Sequence, residues 1–467
     1  VATAVLKAAA APKALQAVWR VLTYESPRIE HATDSDGDSD DGRGSRELAS
    51  CTLLDGGRLG ARRYGLLDAP LRLLTHSAAL VPLIGARLTA AKLWRPLIDQ
   101  LSRGGANELS PGGVVAGLGC VKAMLDAAPA RDRPALISEN NGALARVCAT
   151  CCAPPYLGRV ARWPENADGG ASGVGACLQA VAQLLRATLA REGAAAAQAG
   201  ATPPAGPSPD VAAEPTPKTE AEQLRIAVDD ARIANAVAST LHRTGAASKD
   251  NNLLVVVKRL DGAALCAAAE LLSRLALVGA PVTGGCARAD APKALATAGA
   301  FDAASPPKAV VNALLVASQL ARTASPGSGD GAACEKALKR ATLERYLPRL
   351  LRSEDAQTRA KACNLVGNLC RHSAAFYPAL VEARHGEESA LACVIRCASD
   401  DDGATRKFAC FALGNAAFHS SDLYAALEPG APPLCSCLAN DSDEKARANA
   451  AGALGNLARN GGGLAAA

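Results

Sequence analysis

One short sequence pattern occurs three times in the last part of this chain and aligns without gaps. Its copies are residues 358–373, 405–420 and 446–460, and each has an Arg in second place and a Gly-Asn pair further on. The Gly-Asn pairs lie at 367/368, 414/415 and 455/456, which gives spacings of 47 and 41 residues. Periods of this length are typical of stacked helical repeats, in which one unit alone cannot bury its apolar face. The pattern predicts an elongated stack of helices.

Each copy follows an apolar segment and an acidic turn. The apolar segments are residues 346–351, 391–395 and 434–438, and the acidic turns are residues 353–355, 399–402 and 440–443. We expect each turn to cap the helix that follows it, because a carboxylate accepts hydrogen bonds from the free N–H groups of a helix N-terminus. Weaker copies around Ser318 and Ser273 extend the array towards the N-terminus.

Composition favours an all-α fold. The hydrophobic residues, Cys included, make up 49% of the 467 residues while aromatics make up 3%, so a core of Ala, Leu, Val and Cys must pack closely spaced helices. No stretch reaches 18 uninterrupted apolar residues, so a membrane span is not expected. The net charge of +5 does not by itself indicate nucleic-acid binding.

Two segments of biased composition divide the chain into domains. Residues 31–47 are rich in Asp, Gly and Ser, and residues 193–222 are rich in Ala, Pro and Gly without an apolar period. The resulting organisation is a helical segment (1–30), an acidic disordered linker (31–47), degenerate helical repeats (48–192), an Ala/Pro-rich linker (193–222) and armadillo-type repeats (223–467, best defined over 346–460). A chain that starts at Val1 and ends just after a repeat is interpreted as a segment of a longer polypeptide.

Cysteines and charged clusters give no catalytic or metal site. Most Cys residues of the C-terminal repeats lie at helical positions, where a free thiol behaves as a small hydrophobe, and this usage favours a reducing compartment. The CxxC at Cys148 and Cys151 lacks a second ligand pair, so no metal is expected and a metal site is the weaker alternative. The basic excess over residues 331–371 indicates a solvated helix face, or a contact for an acidic partner.

The last helix of each unit is expected to have two faces. Ala362, Val366 and Leu369 step by four and three residues and should point inward, opposite a polar stripe that includes Asn368. The stripe positions are Lys361, Asn364, Asn368 and Arg371 in the first unit, Phe408, Phe411, Asn415 and Phe418 in the second, and Asn449, Gly452, Asn456 and Arg459 in the third. Exposed aromatic residues commonly anchor protein interfaces.

These motifs resemble armadillo proteins, which implies a right-handed superhelical all-α solenoid of the armadillo/HEAT class. In that family the Asn of the stripe lines a groove and bonds the backbone of an extended partner, and Asn368, Asn415 and Asn456 match this position. We therefore predict partner binding by Asn368, Phe411, Asn415, Phe418 and Asn456. The alternatives are that the Asn residues only satisfy backbone groups within the repeats and that Phe408 packs between helices.

The amino-acid sequence of residues 371–378, 406–424 and 447–460 is similar to that of the C-terminal armadillo region of Fused-type serine/threonine kinases. Animal members act in Hedgehog signalling and in building the central pair of motile cilia, and plant members act in cytokinesis with a kinesin. The resemblance implies a non-catalytic scaffold that docks axonemal or kinesin-family proteins, or microtubules, in the cytoplasm or the axoneme of a cilium or flagellum. The Ala/Gly/Arg bias indicates a GC-rich genome such as that of a green alga.

No kinase motif is visible in this segment. His242-Arg243 is followed by Thr244 where a kinase needs its base Asp, and no Asp-Phe-Gly is present. No catalytic residue, cofactor, nucleic-acid partner or membrane partner is therefore expected, while the parent chain is expected to carry a kinase domain. The alternative function is a stand-alone armadillo adaptor for peptides or cargo, unrelated to kinases.

Overall fold

A computed structural model describes two compact units of this chain, which divide between Leu271 and Leu272. The residues that it describes are 71–78, 82–90, 92–102, 109–128, 133–163, 169–198, 228–229, 232–245, 260–279, 281–325, 329–419 and 421–460. The predicted segments 1–30 and 31–47 lie outside these ranges.

The first unit consists of helices wherever it is described. Besides a helical segment at 71–78, they are α1 (Pro82–Ala90), α2 (Trp94–Ser102), α3 (Pro111–Ala127), α4 (Arg133–Cys152), α5 (Pro154–Arg162), α6 (Gly170–Gln198), α7 (Ile233–Gly245) and α8 (Gly262–Leu277), in which the division between the units falls. Threonines join some of these helices: Thr75 donates to the carbonyl of Ala116 at 2.7 Å, and Thr240 to that of Cys152 at 2.8 Å. The predicted degenerate repeats of residues 48–192 stay a prediction.

The second unit is also mainly helical. They are α9 (Val282–Arg288), α10 (Ala291–Thr297), α11 (Pro307–Thr323), α12 (Gly331–Ala341), α13 (Leu347–Leu350), α14 (Ala356–Leu369), α15 (Tyr377–Glu382), α16 (Ala390–Cys397), α17 (Gly403–Ala416), α18 (Tyr424–Leu427), α19 (Ala431–Asn440) and α20 (Glu444–Asn460). Turns of 3-10 helix lie at Leu343–Tyr346, Ser421–Leu423 and Glu428–Gly430. Two strands, β1 (Arg384–His385) and β2 (Glu388–Ser389), form an antiparallel hairpin.

The last helices of successive repeats are stacked side by side in this unit. Helix α14 packs between α11 and α17, and α17 packs between α14 and α20. Ala362 and Val366 are buried as predicted, and so are their counterparts Ala409 and Leu413. The stack confirms the all-α solenoid, while its right-handed sense stays a prediction from the repeat class.

The acidic turns cap the last helices, as the sequence predicts. Asp355 accepts the backbone N–H of Thr358 at 2.8 Å and its hydroxyl at 2.6 Å. Asp402 accepts the same two groups of Thr405, each at 2.7 Å. Each carboxylate thereby satisfies a backbone donor that has no partner within its helix.

The longer first period contains the hairpin. The spacing of 47 residues exceeds that of 41 by six, which is the length of residues 384–389. Gly386 takes a positive φ of 64° in the turn, a conformation that glycine adopts without strain. Glu388 lies 3.2 Å from both Arg352 and Arg396, and these contacts hold the hairpin against the stack.

The structure differs from the predicted domain boundaries at two points. The two units divide between Leu271 and Leu272, inside the predicted array 223–467. Helix α6 continues to Gln198, six residues into the predicted linker 193–222, because the Ala-rich run after Gly193 is compatible with a helix. Residues 199–222 lie outside the described ranges. Among the helices that are described, none is both long and apolar enough to cross a membrane.

Candidate protein-binding face

The stripe positions of the three last helices form four rows across the stack. The rows are Lys361, Phe408 and Asn449; Asn364, Phe411 and Gly452; Asn368, Asn415 and Asn456; and Arg371, Phe418 and Arg459. We call this surface the stripe face. Residues three and seven positions apart on one helix share a face, so each helix contributes one member to the first three rows. In the fourth row, Arg371 and Phe418 lie two residues beyond the last residues of α14 and α17.

The third row forms hydrogen bonds between neighbouring repeats. Asn415 donates its side-chain N–H to the carbonyl of Gly367 at 2.8 Å, and Asn456 donates to that of Gly414 at 2.9 Å. Both carbonyls lie in the last turn of a helix, where the helix itself supplies no partner. The Asn side chain thus completes the C-terminal end of the preceding last helix.

Asn368 differs from the other two Asn residues. It is buried, with 6% of its surface exposed, and donates instead to the side-chain oxygen of Asn364 at 3.1 Å. Its side chain is therefore less accessible than those of Asn415 and Asn456, and its predicted role in partner binding stays a prediction.

Phe411 packs against the backbone of the preceding repeat. A Cβ atom on Gly367 would lie 2.4 and 2.5 Å from two carbons of the Phe411 ring, so only glycine leaves room for the ring. At Gly414 a Cβ would lie 3.5 Å from Ala453, an ordinary contact, and at Gly455 it would meet nothing within 4 Å. Among the three Gly-Asn pairs, only the Gly of the first pair, Gly367, must be glycine for the neighbouring repeat to pack this closely. Phe411 is half-buried, not exposed.

The other two rings of the stripe lie beside positive charges. The ammonium groups of Lys361 and Lys407 lie 5.7 and 5.5 Å from the centre of the Phe408 ring. The guanidinium of Arg459 lies 5.0 Å from the centre of the Phe418 ring, which is 47% exposed. A cation over a ring face is attracted by the negative charge of the π-system.

Tyr and His side chains add contacts between repeats that sequence reasoning missed. The hydroxyl of Tyr377 donates to the carbonyl of Asn415, and that of Tyr424 to the carbonyl of Asn456, each at 3.1 Å. A ring nitrogen of His419 lies 3.0 Å from the carbonyl oxygen of Arg371. The recurrence of His-Ser and of Tyr after the Gly-Asn pair was the available signal.

An Arg–Asp pair crosses each of the last two repeat junctions. Arg359 forms two hydrogen bonds of 2.7 Å with Asp400, and Arg406 forms bonds of 2.6 and 3.2 Å with Asp441. The Arg406 hydrogen bond holds the pKa of the Asp441 carboxyl below its usual range. Sequence reasoning assigned the acidic turns to capping alone, although the Arg in second place recurs in all three copies.

The cysteines of the CxxC are buried in the first unit. Cys148, Cys151 and Cys152 are buried on α4, and burial raises the pKa of Cys148 to about 12. Thiols bind metals as thiolates, which such burial disfavours. Within the described part of the chain, no group of three or more His, Cys, Asp and Glu residues could hold a metal ion.

The comparisons with known proteins concern the repeat class. Residues 387–457 match a family model described as HEAT-like repeat, and no curated protein matches the chain. A designed armadillo repeat protein, YIII(Dq)4CqI, is 16% identical over 65% of this chain and 99% of its own, with a TM-score of 0.43. The related design YIII(Dq.V1)4CPAF, solved in complex with the peptide (KR)4, is 16% identical over 65% of this chain and 98% of its own, with the same TM-score of 0.43. The family match supports an armadillo/HEAT repeat region at the C-terminal end.

Proposed function

We propose that this chain is a non-catalytic armadillo scaffold that docks protein partners on its stripe face, as the C-terminal region of a Fused-like serine/threonine kinase. The observation that carries the docking function is that one exposed ring, Phe418, and two half-buried side-chain amides, Asn415 and Asn456, lie at stripe positions of two neighbouring repeats. A surface that repeats at the helix spacing suits a partner that is itself extended.

The amides of Asn415 and Asn456 keep the capacity to bind a partner. Each uses one N–H for the carbonyl of the preceding repeat, and no described residue bonds its side-chain oxygen. A primary amide has two N–H donors and an oxygen with two lone pairs. One donor and the oxygen of each Asn are thus available to the backbone of an extended segment.

Phe418 is the ring of the stripe that is best suited to anchor a partner. Its side chain is 47% exposed and contacts the His419 ring edge-on, whereas the Phe411 ring packs against Gly367. Burying an exposed aromatic ring is a common source of interface affinity. The predicted site thus divides into an anchor (Phe418), two amides that also bond the preceding repeat (Asn415, Asn456), a ring packed against Gly367 (Phe411) and a buried amide (Asn368).

The identity of the partner follows from the Fused resemblance. The sequence of residues 371–378 and 406–424 supports an axonemal or kinesin-family partner, or microtubules. The place of binding would be the cytoplasm and the axoneme of a cilium or flagellum, here of an alga. The parent polypeptide would then carry a kinase domain. A stand-alone adaptor for other peptides is the competing function.

Co-sedimentation and titration with purified components test this proposal. The purified chain is mixed with polymerised tubulin and, separately, with a kinesin-family protein, and Phe418→Ala is compared with Val381→Ala, an exposed apolar residue outside the stripe. Loss of a central aromatic anchor should weaken binding about tenfold or more, while the control should bind like the wild type.

The outcomes separate the two parts of the proposal. Binding that Phe418→Ala leaves at full strength would place the partner elsewhere on the molecule. Failure to bind either component, together with tight binding of an unrelated peptide through Phe418, would favour the stand-alone adaptor.

A further inference from the structure

We infer that the segment bound by this scaffold is acidic and that a basic-aromatic face made of Lys361, Lys407, Phe408, Phe418 and Arg459 holds it. The inference rests on the proposed docking function and adds the charge of the partner and three basic residues that the predicted site lacks. It follows from the charge of the last helices and from how their rings are flanked.

The three last helices carry almost no negative charge. Over α14, α17 and α20 the one acidic residue is Glu444, in the first position of α20. The basic residues on the same helices are Arg359, Lys361, Arg406, Lys407, Lys445, Arg447 and Arg459. A surface with this imbalance attracts segments of negative charge.

Part of this positive charge is neutralised and part is not. Arg359 and Arg406 face the carboxylates of Asp400 and Asp441 across the repeat junctions. Lys407 reaches Asp443 at 3.3 Å on one side. Lys361 and Arg459 have no carboxylate partner among the residues that the structure describes, and both lie on the stripe face beside a ring.

The arrangement around Phe408 favours an anion. Two ammonium groups, from Lys361 and Lys407, lie 5.7 and 5.5 Å from the centre of one half-buried ring. Both are attracted to the ring and repel each other, so the ring gathers positive charge from two neighbouring repeats. Lys407 already reaches the Asp443 carboxylate, so a partner carboxylate that binds here would supply the counterion that Lys361 lacks.

A second site of the same kind lies at the other end of the stripe. Arg459 lies over the exposed Phe418 ring, and Arg371, which is also exposed, belongs to the same row. Phe408 lies on α17, and Phe418 lies two residues beyond the last residue of that helix, so about two helical turns and a short turn separate the two rings. We therefore expect the partner to carry more than one acidic residue.

The other basic stretch of the chain is less suited to an acidic partner. Over residues 331–345, Lys339 pairs with Glu335 and Arg340 pairs with Asp290, each at 2.6 Å. These carboxylates compensate charge that the sequence alone presents as a basic excess. The structure thus favours the stripe face over the stretch around Lys339.

Three labelled peptides of ten residues test the inference by fluorescence titration against the full chain. The first alternates Glu with Gly, the second has Gln in place of Glu, and the third has Lys. The acidic peptide should bind at least tenfold more tightly than the other two, and its affinity should fall as salt is added, because screening weakens contacts between exposed charges. Equal binding of the Gln peptide, or preference for the Lys peptide, would overturn the inference.

Variants locate the site. The pair Lys361→Ala with Lys407→Ala should weaken binding of the acidic peptide at least tenfold, whereas Lys339→Ala, a matched lysine off the stripe face, should stay within twofold of the wild type. If the double variant folds poorly, Lys361→Glu with Lys407→Glu gives a second reading, since it should reverse the preference to the Lys peptide. Retained preference for the acidic peptide in either folded variant would contradict the assignment.

The proposed function and this inference can fail separately. A partner that needs Phe418 but binds the Lys361 and Lys407 variants normally would leave docking on the stripe face intact and remove the acidic partner. Binding that none of these stripe variants affects would remove both.

Discussion

The Arg406 guanidinium forms two hydrogen bonds with the carboxylate of Asp441 in the next repeat, at 2.6 and 3.2 Å. The same guanidinium donates to the carbonyls of Asp400 and Asp401 at 2.8 and 3.0 Å, so it joins its own acidic turn to the following one. Arg359 repeats this arrangement one junction earlier, with Asp400. The pairs connect neighbouring repeats, in addition to the apolar contacts and to the hydrogen bonds that Asn415 and Asn456 donate across the same junctions.

Replacing Asp441 by Asn should destabilise the last repeat. The Asp441 side chain is 1% exposed and that of Arg406 is 22% exposed, so the pair is shielded from solvent. A hydrogen bond to a charged group contributes about 1.5–3 kcal/mol, and Asn keeps the shape while losing the charge. Denaturant unfolding should show that Asp441→Asn lowers the free energy of unfolding by an amount in this range. The control is Glu388→Gln, which removes contacts to two exposed Arg residues and should cost about 1 kcal/mol or less.

The folded chain should lose stability at low pH as Asp441 becomes protonated. Its folded-state pKa lies below the ordinary value of 3.8, mainly because of the Arg406 hydrogen bond, so the carboxylate stabilises the folded chain above that value. The contribution should be lost as the pH falls from about 4 through the lowered pKa. Melting curves should therefore show a gap between wild type and Asp441→Asn that is constant between about pH 5 and 7 and closes below about pH 4. A gap of unchanged size in acid would mean that the charge of Asp441 is not its cause.

Alanine substitutions at the three recurrent glycines should have different effects. At Gly367 the new methyl group would overlap the Phe411 ring, and overpacking of this kind costs about 1–3 kcal/mol. At Gly455 the added Cβ has no neighbour within 4 Å, so the higher helix propensity of Ala should stabilise the chain by up to about 1 kcal/mol. Gly414→Ala should lie between them. Thermal melts of the three variants check this order, and a Gly367→Ala variant as stable as Gly455→Ala would contradict the close approach.

Replacing Asn415 by Ala should weaken the stack as well as any binding. The substitution leaves the Gly367 carbonyl without its side-chain donor, and an unsatisfied buried group costs about 1–3 kcal/mol. Asn440→Ala, at an exposed position of α19, serves as the control and should change stability little. Unfolding midpoints of the two variants give the comparison. Equal midpoints would mean that the Asn415 bond adds nothing to the junction.

Sequence reasoning found the parts of the fold that depend on local pattern. The three aligned copies located α14, α17 and α20, and the Asp residues before Thr358 and Thr405 correctly indicated caps. Both results follow from chemistry within a few residues: helical spacing of apolar side chains, and a carboxylate three positions before the N–H that it accepts. The sequence also shows that the two periods differ in length, but only the structure shows that the longer one contains a hairpin.

Which predicted site residues are exposed could be decided only from the tertiary structure, because several of them contact the neighbouring repeat. One stripe position holds an exposed ring at Phe418, while another holds a ring against Gly367, and the Asn row divides into buried Asn368 and half-buried Asn415 and Asn456. Sequence spacing gives the face of a helix on which a residue lies. It does not give the distance to the neighbouring helix, which decides whether a side chain on that face meets solvent, a ring or a backbone carbonyl.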